Sequence, residues 1–219
     1  MALAFNKTQG KAVKNSHESY AYKDGENTVR IIGGILPRYV YWLKGTNNKD
    51  IPVECLAFDR ELEKFNNKEV DHVSHYFPDK KCSWSYSANC IATVDGAPKV
   101  VVLNLKKKLF EQICSAAEQL GLDPTDENEG FDIIFKRAKT GPLPFNVEYT
   151  LSQLKLKKRA LSEAEKALLV AEDFLPIDAK FIRQTPDEVK ALLDRITKGE
   201  DEVAATAAGT DSEAVNELG

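Results

Sequence analysis

The sequence predicts a mainly β chain, a small Greek-key barrel or related sheet with one interior helix and helices at its end, and three observations carry that expectation. Five or six short stretches rich in β-branched and aromatic residues are separated by turns at uneven intervals. One stretch among them repeats its apolar residues at helical spacing. Beyond residue 160 the alternation gives way to helix, announced by two capping signatures.

Residues 1–18 are polar and carry Lys7, Lys11 and Lys14 before the first acid at Glu18, which reads as a flexible basic arm. The strand-rich body spans 19–160. SYAYK and TVRIIGGILPRYVYWLKG read as strands, with a bulge or bend at Gly33 and Gly34 and a break at Pro37. TNNKD is a turn, IPVECLAF a strand, DRELEKFN a short helix and NKEVDHVSHYFPDKK a loop. CSWSYSANCIATV reads as one strand, with Cys82, Trp84, Tyr86, Ala88, Cys90 and Ala92 on one side and Ser83, Ser85, Ser87 and Asn89 on the other.

After the DGAPK turn, VVVLNL is a further strand. A helix follows from about Lys106 to Leu120, with Leu109, Ile113, Ala116, Ala117 and Leu120 at helical spacing and Gly121 as its stop. The acidic loop LDPTDENEG leads into the strand FDIIFKRAK, and FNVEYTLSQLKLKK resumes the sheet after the GPLP turn. Over 161–198, Ser162 with Glu165 and Thr185 with Pro186 and Glu188 open two helices. Residues 199–219 read as a disordered acidic tail.

The 219 residues, 42% of them hydrophobic, suffice for a sizeable core. The opening MALAFNKTQGKAVKN has no apolar run before its lysines, and no stretch approaches the roughly 18 apolar residues of a membrane span. A soluble protein of the cytoplasm is therefore expected, with no membrane partner. Cys55, Cys82, Cys90 and Cys114 form no CxxC pair, which suits a reducing compartment and buried thiols. The net charge of -4 conceals a division. Glu200, Asp201, Glu202, Asp211, Glu213 and Glu217 lie in the tail with no Lys or Arg, leaving 30 basic against 28 acidic residues over 1–198. A basic body with an acidic tail suits a polyanion binder with an interaction tail, and equally a solvated end.

Catalytic signatures are missing: there is no GxxxxGK[ST], GxGxxG, GxSxG or HExxH, and His17, His72 and His75 are the only histidines. A non-enzymatic protein without a cofactor is expected. His72, His75, Cys82 and Cys90 offer zinc-type ligands, but on a continuous strand Cys82 and Cys90 would stand roughly 26 Å apart, so loop histidines and core thiols are the expectation and no metal is assigned.

Cations and rings are interleaved repeatedly instead: Tyr22 with Arg30; Arg38, Tyr39, Tyr41 and Trp42; Trp84 and Tyr86; Lys106 and Lys107; Phe135, Lys136, Arg137, Lys139, Phe145 and Tyr149; then Lys155, Lys157 and Lys158. Single-stranded nucleic acid asks for this mixture, cations for its phosphates and flat rings for its unstacked bases. Each group also has a plainer account. Trp84 and Tyr86 share a face with Ala88 and Cys90 and suit a core as well as a stacking platform. Phe135 shares a face with Phe131 and Ile133, and the lysines at the helix start stand against the helix dipole, where a bound phosphate would relieve them.

The segments TVRIIGGILP, SYSANCIATV, KVVVLNLKKKLFEQI and ENEGFDIIFKRAKTGPLPFNVEY, in this order over roughly residues 20–160, resemble the phage single-stranded DNA-binding proteins related to the helix-destabilising protein of T-even phages. The resemblance implies an OB-type fold, a five-stranded Greek-key barrel, that binds single strands without sequence preference in replication, recombination and repair. It implies that Tyr86, Phe145 and Tyr149 line a cleft, that Lys106, Lys107, Lys136, Arg137 and Lys139 meet phosphates, and that the tail contacts replication or recombination proteins or competes with DNA. Two departures stand out: the family's Cys-x2-Cys zinc pair is absent, and its basic N-terminal domain is reduced to the arm. A protein–protein adaptor and an RNA-binding OB module are the alternatives.

Overall fold

A computed structural model describes residues 17–143 and 146–200. Most of the basic arm, Phe145 and the tail residues Asp201, Glu202, Asp211, Glu213 and Glu217 lie outside the described residues. The structure is mainly β. Its centre is a five-stranded antiparallel sheet of β1 (Gly25–Leu36), β7 (Ser87–Val94), β8 (Ala97–Asn104), β9 (Ile133–Lys139) and β10 (Val147–Leu151), in the order β10-β9-β1-β7-β8. The first half of β1 pairs with β9 and the second with β7. The ladder slips between Ile32 and Ile35, where Gly33 takes a φ of 66°, so the expected bulge is present and lets one strand serve both neighbours.

Between β1 and β7 the chain adds a three-stranded sheet, β3-β2-β6, from β2 (Tyr39–Lys44), β3 (Asp50–Glu54) and β6 (Ser83–Trp84). The stretch read as the helix DRELEKFN is instead a hairpin of β4 (Phe58–Asp59) and β5 (Lys64–Phe65). So short a helix is marginal in water, and the Asp59 carboxylate turns the chain by accepting the backbone N–H groups of Glu61 and Leu62, both at 3.0 Å. The loop expected over 67–81 contains α1 (His72–Tyr76), capped by Asp71 and anchored by fully buried Val73. The single strand expected over 82–94 is two, β6 and β7.

The interior helix is α2 (Lys107–Leu120), which buries Leu109, Ile113 and Ala116 and ends at Gly121 in the left-handed conformation. Among the described residues β8 and β10 do not pair with each other. The Gln112 side chain of α2 instead donates to the Tyr149 carbonyl at 3.2 Å and accepts from the Leu151 N–H at 2.7 Å, covering the free edge of β10. On β8, Val102 exchanges backbone bonds with Glu18 and Tyr20. Both expected capping boxes are formed, at the starts of α3 (Glu163–Leu169) and α5 (Pro186–Lys198), and a short α4 (Ile177–Lys180) lies between them.

The sheet is covered on both faces. On the inner face Val29, Ile31, Cys90, Val101, Leu103, Ile133 and Phe135 join residues of α2, α5 and the three-stranded sheet in the main core. On the outer face the returning C-terminal segment covers Ile32 and Ile91 with Leu161, Leu168 and Leu169, and covers Leu36 and Val102 with Ile177 and Phe181. Ser87 and Asn89, on the strand side that reads as polar, are therefore buried: the Asn89 amide donates to the Leu175 carbonyl at 2.9 Å and its oxygen accepts from Lys180 at 2.8 Å. Among the described residues no helix is long and apolar enough to cross a membrane.

Candidate nucleic-acid interface

The two-residue period of β9 builds the first part of the site. Ile133, Phe135, Arg137 and Lys139 share the inner face. The first two are in the core, and the last two carry the same row out of it, Lys139 into solvent. Across the ladder Arg137 faces Tyr149 and Lys139 faces Val147. The Tyr149 hydroxyl accepts from Arg137 Nε at 3.4 Å, and its ring meets Tyr22 edge-on at 5.2 Å. Tyr22 packs on Phe135 and on Tyr20, at 5.7 and 5.3 Å, and its hydroxyl donates to the Asn104 carbonyl at 2.6 Å. Over the Tyr22 ring, 5.6 Å from its centre, stands the Lys106 ammonium. Burial pushes the Tyr20 hydroxyl up to about 12.

A second ring group lies on the other side of the same backbone. Trp84 stacks on Tyr86 at 3.5 Å and 12°, and Tyr39, Trp84's partner across the β2–β6 ladder, meets it edge-on at 6.3 Å. Phe110 of α2 lies 5.6 Å from Trp84 and 5.8 Å from Tyr86. The Trp84 indole N–H donates to the Leu105 carbonyl at 2.9 Å. The two groups are thus pinned to consecutive carbonyls, Asn104 and Leu105, directly before Lys106 and Lys107 at the start of α2, whose first turn holds no acid. An anion already meets two of these cations: the Asp24 carboxylate pairs with Arg137 and lies 3.6 Å from Lys139.

The structure therefore brings together Tyr22, Tyr39, Trp84, Tyr86, Lys106, Lys107, Arg137, Lys139 and Tyr149. Tyr86 and Tyr149 contribute mainly as buried supports, Tyr86 with its hydroxyl on Glu63 at 3.3 Å and shifted upward by burial. Several expected residues fall elsewhere. Phe135 is fully buried and belongs to the core. Arg30, 1% exposed, reaches under the sheet to the carbonyls of Asp126 and Arg159 and to Asp132. Arg38 is buried with its guanidinium 3.7 Å above the Phe181 ring.

Tyr41 is buried with its hydroxyl donating to Asp71 at 2.6 Å, and Trp42, the next residue of β2, is turned to the opposite side of that sheet, facing Pro52 across the ladder. Lys136 stands on the outer side of β9 opposite Glu26, which pairs with Lys155. Lys158 pairs with Glu129 at 2.6 Å, and Lys157 is exposed beyond β10. One-residue alternation separates Lys136 from Arg137, and a sequence cluster overlooks it. Phe145 lies outside the described residues, and of the tail acids Glu200 alone is described, exposed at the end of α5.

Sequence reasoning missed two participants: Asp24 and Phe65. The last is the one exposed Phe, Tyr or Trp ring among the described residues, 5.0 Å from Tyr39. Phe110 was signalled by its place after the three lysines, whereas Asp24 and Phe65 carry no local signal. The zinc-type residues do not converge: His72 and His75 are in α1, Cys90 is sealed in β7, and Cys82 neighbours Cys55, whose hydrogen bond draws its thiol down to about 7. No group of three or more His, Cys, Asp or Glu side chains among the described residues is arranged to hold a metal ion.

No family model matches the chain. It is similar to a protein of Escherichia phage T5 named "Probable ssDNA-binding protein", with 32% identity over 166 residues. The matched region is 70% of this chain and spans 61% of that relative's length.

Proposed function

We propose that this protein binds single-stranded DNA without sequence preference and acts as a non-enzymatic partner in DNA replication, recombination and repair in the host cytoplasm. The observation that carries the reading is the convergence of two ring groups on the backbone of residues 104–105, flanked by Lys106 and Lys107 on one side and by Arg137 and Lys139 on the other. Cations that follow phosphates beside faces that take unstacked bases are what such a ligand needs. The similarity to the phage T5 protein supports the same ligand.

The five strands read as an open OB-type barrel. In chain order β1, β7, β8, β9 and β10 would be its strands one to five, with α2 between the third and fourth. OB folds bind oligonucleotides on strands two and three and with the loops after strands one and four. Here those loops would be the insertion holding Tyr39 and Trp84 and the turn after Lys139, which agrees with the placement of the rings and cations. Residues 19–160 would form the binding domain, closed behind by the helices of 161–198. The acidic tail would meet partner proteins or compete with DNA for the cations.

Titration of intrinsic tryptophan fluorescence with oligo-dT tests this, because Trp84 lies in the site. Saturable quenching is expected to weaken between about 50 and about 300 mM salt with a log-log slope of about -0.7 per phosphate contacted. Duplex DNA should compete poorly, and oligo-U in its place decides between DNA and RNA. Flat titrations at both salts would overturn the proposal.

A further inference from the structure

The β4–β5 hairpin holds an aromatic ring in the open at considerable structural effort. Phe58 and Phe65 are partners across it, yet Phe58 is buried and Phe65 is 52% exposed. The hairpin is not loose. Asn66 donates its backbone N–H to Ala57 at 3.0 Å and its side-chain amide to Asp59 at 2.7 Å. Arg60 Nε pairs with the buried Glu54 at 2.7 Å, and Arg183 of the C-terminal segment donates to the Phe58 carbonyl at 3.1 Å. A single exposed apolar side chain is ordinary, and Leu62 of the same hairpin is as exposed; what sets Phe65 apart is a ring held by a braced hairpin against other rings.

Its position says what does. Phe65 meets Tyr39 at 5.0 Å and 64°, and Phe58 at 5.2 Å and 63°, so neither neighbour stacks in parallel on it. Tyr39 in turn meets Trp84, whose indole is fixed to the Leu105 carbonyl beside Lys106. The ring series is therefore continuous from the proposed interface to the hairpin, and Lys64 is exposed next to its outer end. A flat, pre-placed ring at the end of a series of rings, with a cation beside it, matches an unstacked base and its phosphate.

We propose that Phe65 is a base-stacking site for single-stranded nucleic acid, lengthening the bound strand's path past Trp84 toward the β4–β5 hairpin, with Lys64 serving the phosphate there. This rests on the single-strand reading above. The test compares wild-type protein, Phe65→Leu, Phe65→Tyr and Lys64→Gln in oligo-dT titrations. Leucine keeps the contacts with Tyr39 and Phe58, so the thermal midpoint should hold while the ring face is lost.

Phe65→Leu is expected to bind about fivefold more weakly with an unchanged salt slope, because a stacked base and no phosphate contact is removed. Phe65→Tyr should bind like wild type, and Lys64→Gln should lower the slope by about 0.7. Wild-type affinity in Phe65→Leu would overturn the inference and leave the hairpin for a protein contact. A loss in Phe65→Tyr equal to that in Phe65→Leu would also overturn it, since the ring face is kept. Failure of the wild-type protein to bind oligo-dT would instead remove the single-strand reading itself, and is seen before any variant is measured.

Discussion

Arg38 and Lys106 each sit over an aromatic ring, and the two pairs do different work. Arg38 lies 3.7 Å above Phe181, which also takes the His17 ring edge-on at 4.5 Å, and the assembly is closed by the α4 segment packed on Leu36 and Val102. Lys106 lies 5.6 Å above Tyr22 at a margin where Lys107 and Lys139 reach solvent and the Asp24 carboxylate lies 3.6 Å from Lys139. The chemistry of the two pairs is alike. What differs is whether the chain returns to cover them. On the outer face it does, and the cation holds the C-terminal segment in place. On the inner face, among the described residues, Lys106 is half-buried beside the exposed Lys107. A cation beside a ring therefore identifies a binding surface only after the rest of the chain has been accounted for.

The sharpest test sets Arg30, covered like Arg38, against Arg137. Arg30→Ala removes a buried guanidinium that donates to the Asp126 and Arg159 carbonyls and lies 3.8 Å from Asp132, and is expected to cost about 3 kcal/mol, or roughly 6–12 °C in thermal midpoint, with oligo-dT affinity of the folded protein unchanged. Arg137→Ala removes a partly exposed pair with Asp24, so stability should move by less than about 1 kcal/mol. Its affinity should fall about tenfold and its salt slope by about 0.7. Calorimetry and titration on both variants check this, and the comparison breaks if each change moves both quantities alike.

A smaller effect concerns what fastens the cover. Glu165 of α3 takes two hydrogen bonds from Arg159, each 2.8 Å, and Arg159 also reaches Asp132 at 2.7 Å. Arg159 holds the Glu165 carboxyl down at about 2, against its ordinary 4.5. Because the folded value is depressed, the stabilisation is fully present above about pH 4.5 and is lost as pH falls toward 2. Glu165→Gln should lose about 1 to 2 kcal/mol at neutral pH and show a flatter acid limb in a thermal-midpoint series. Oligo-dT binding at neutral pH should be unaltered, since this network lies on the covered face.

Much of the frame was legible in local chemistry. Both capping boxes, the bulge at Gly33, the stop at Gly121 and the core positions Phe131 and Ile133 follow from neighbouring residues, and each is present. The fate of the cations was not, because it is decided by residues far along the chain. Arg30 is enclosed by the carbonyls of Asp126 and Arg159, and Arg38 by Phe181, none of which a window around the arginine contains. Strand alternation could have split Lys136 from Arg137 and Lys139. It could not have put Asp24 between the latter two, since that contact depends on the pairing of β1 with β9.

Asp24 sharpens the comparison last and by the least. Its carboxylate is 55% exposed and occupies the two inner-face cations that a phosphate would need, whereas Glu26 opposes Lys136 and pairs with Lys155 on the outer side. A phosphate about 6 Å from Asp24 would meet a repulsion of about 0.7 kcal/mol at the dielectric constant of water. Asp24→Asn is therefore expected to bind oligo-dT about threefold more tightly at low salt, a gain that shrinks as screening increases, while Glu26→Gln changes affinity less. Fluorescence titrations of the two variants at low and high salt separate the possibilities. Tighter binding in Asp24→Asn alone makes Asp24 a phosphate substitute that the strand displaces. Weaker binding would mean that Asp24 orients Arg137 for the ligand, and equal gains in both variants would mean that net charge, not position on the inner face, controls affinity.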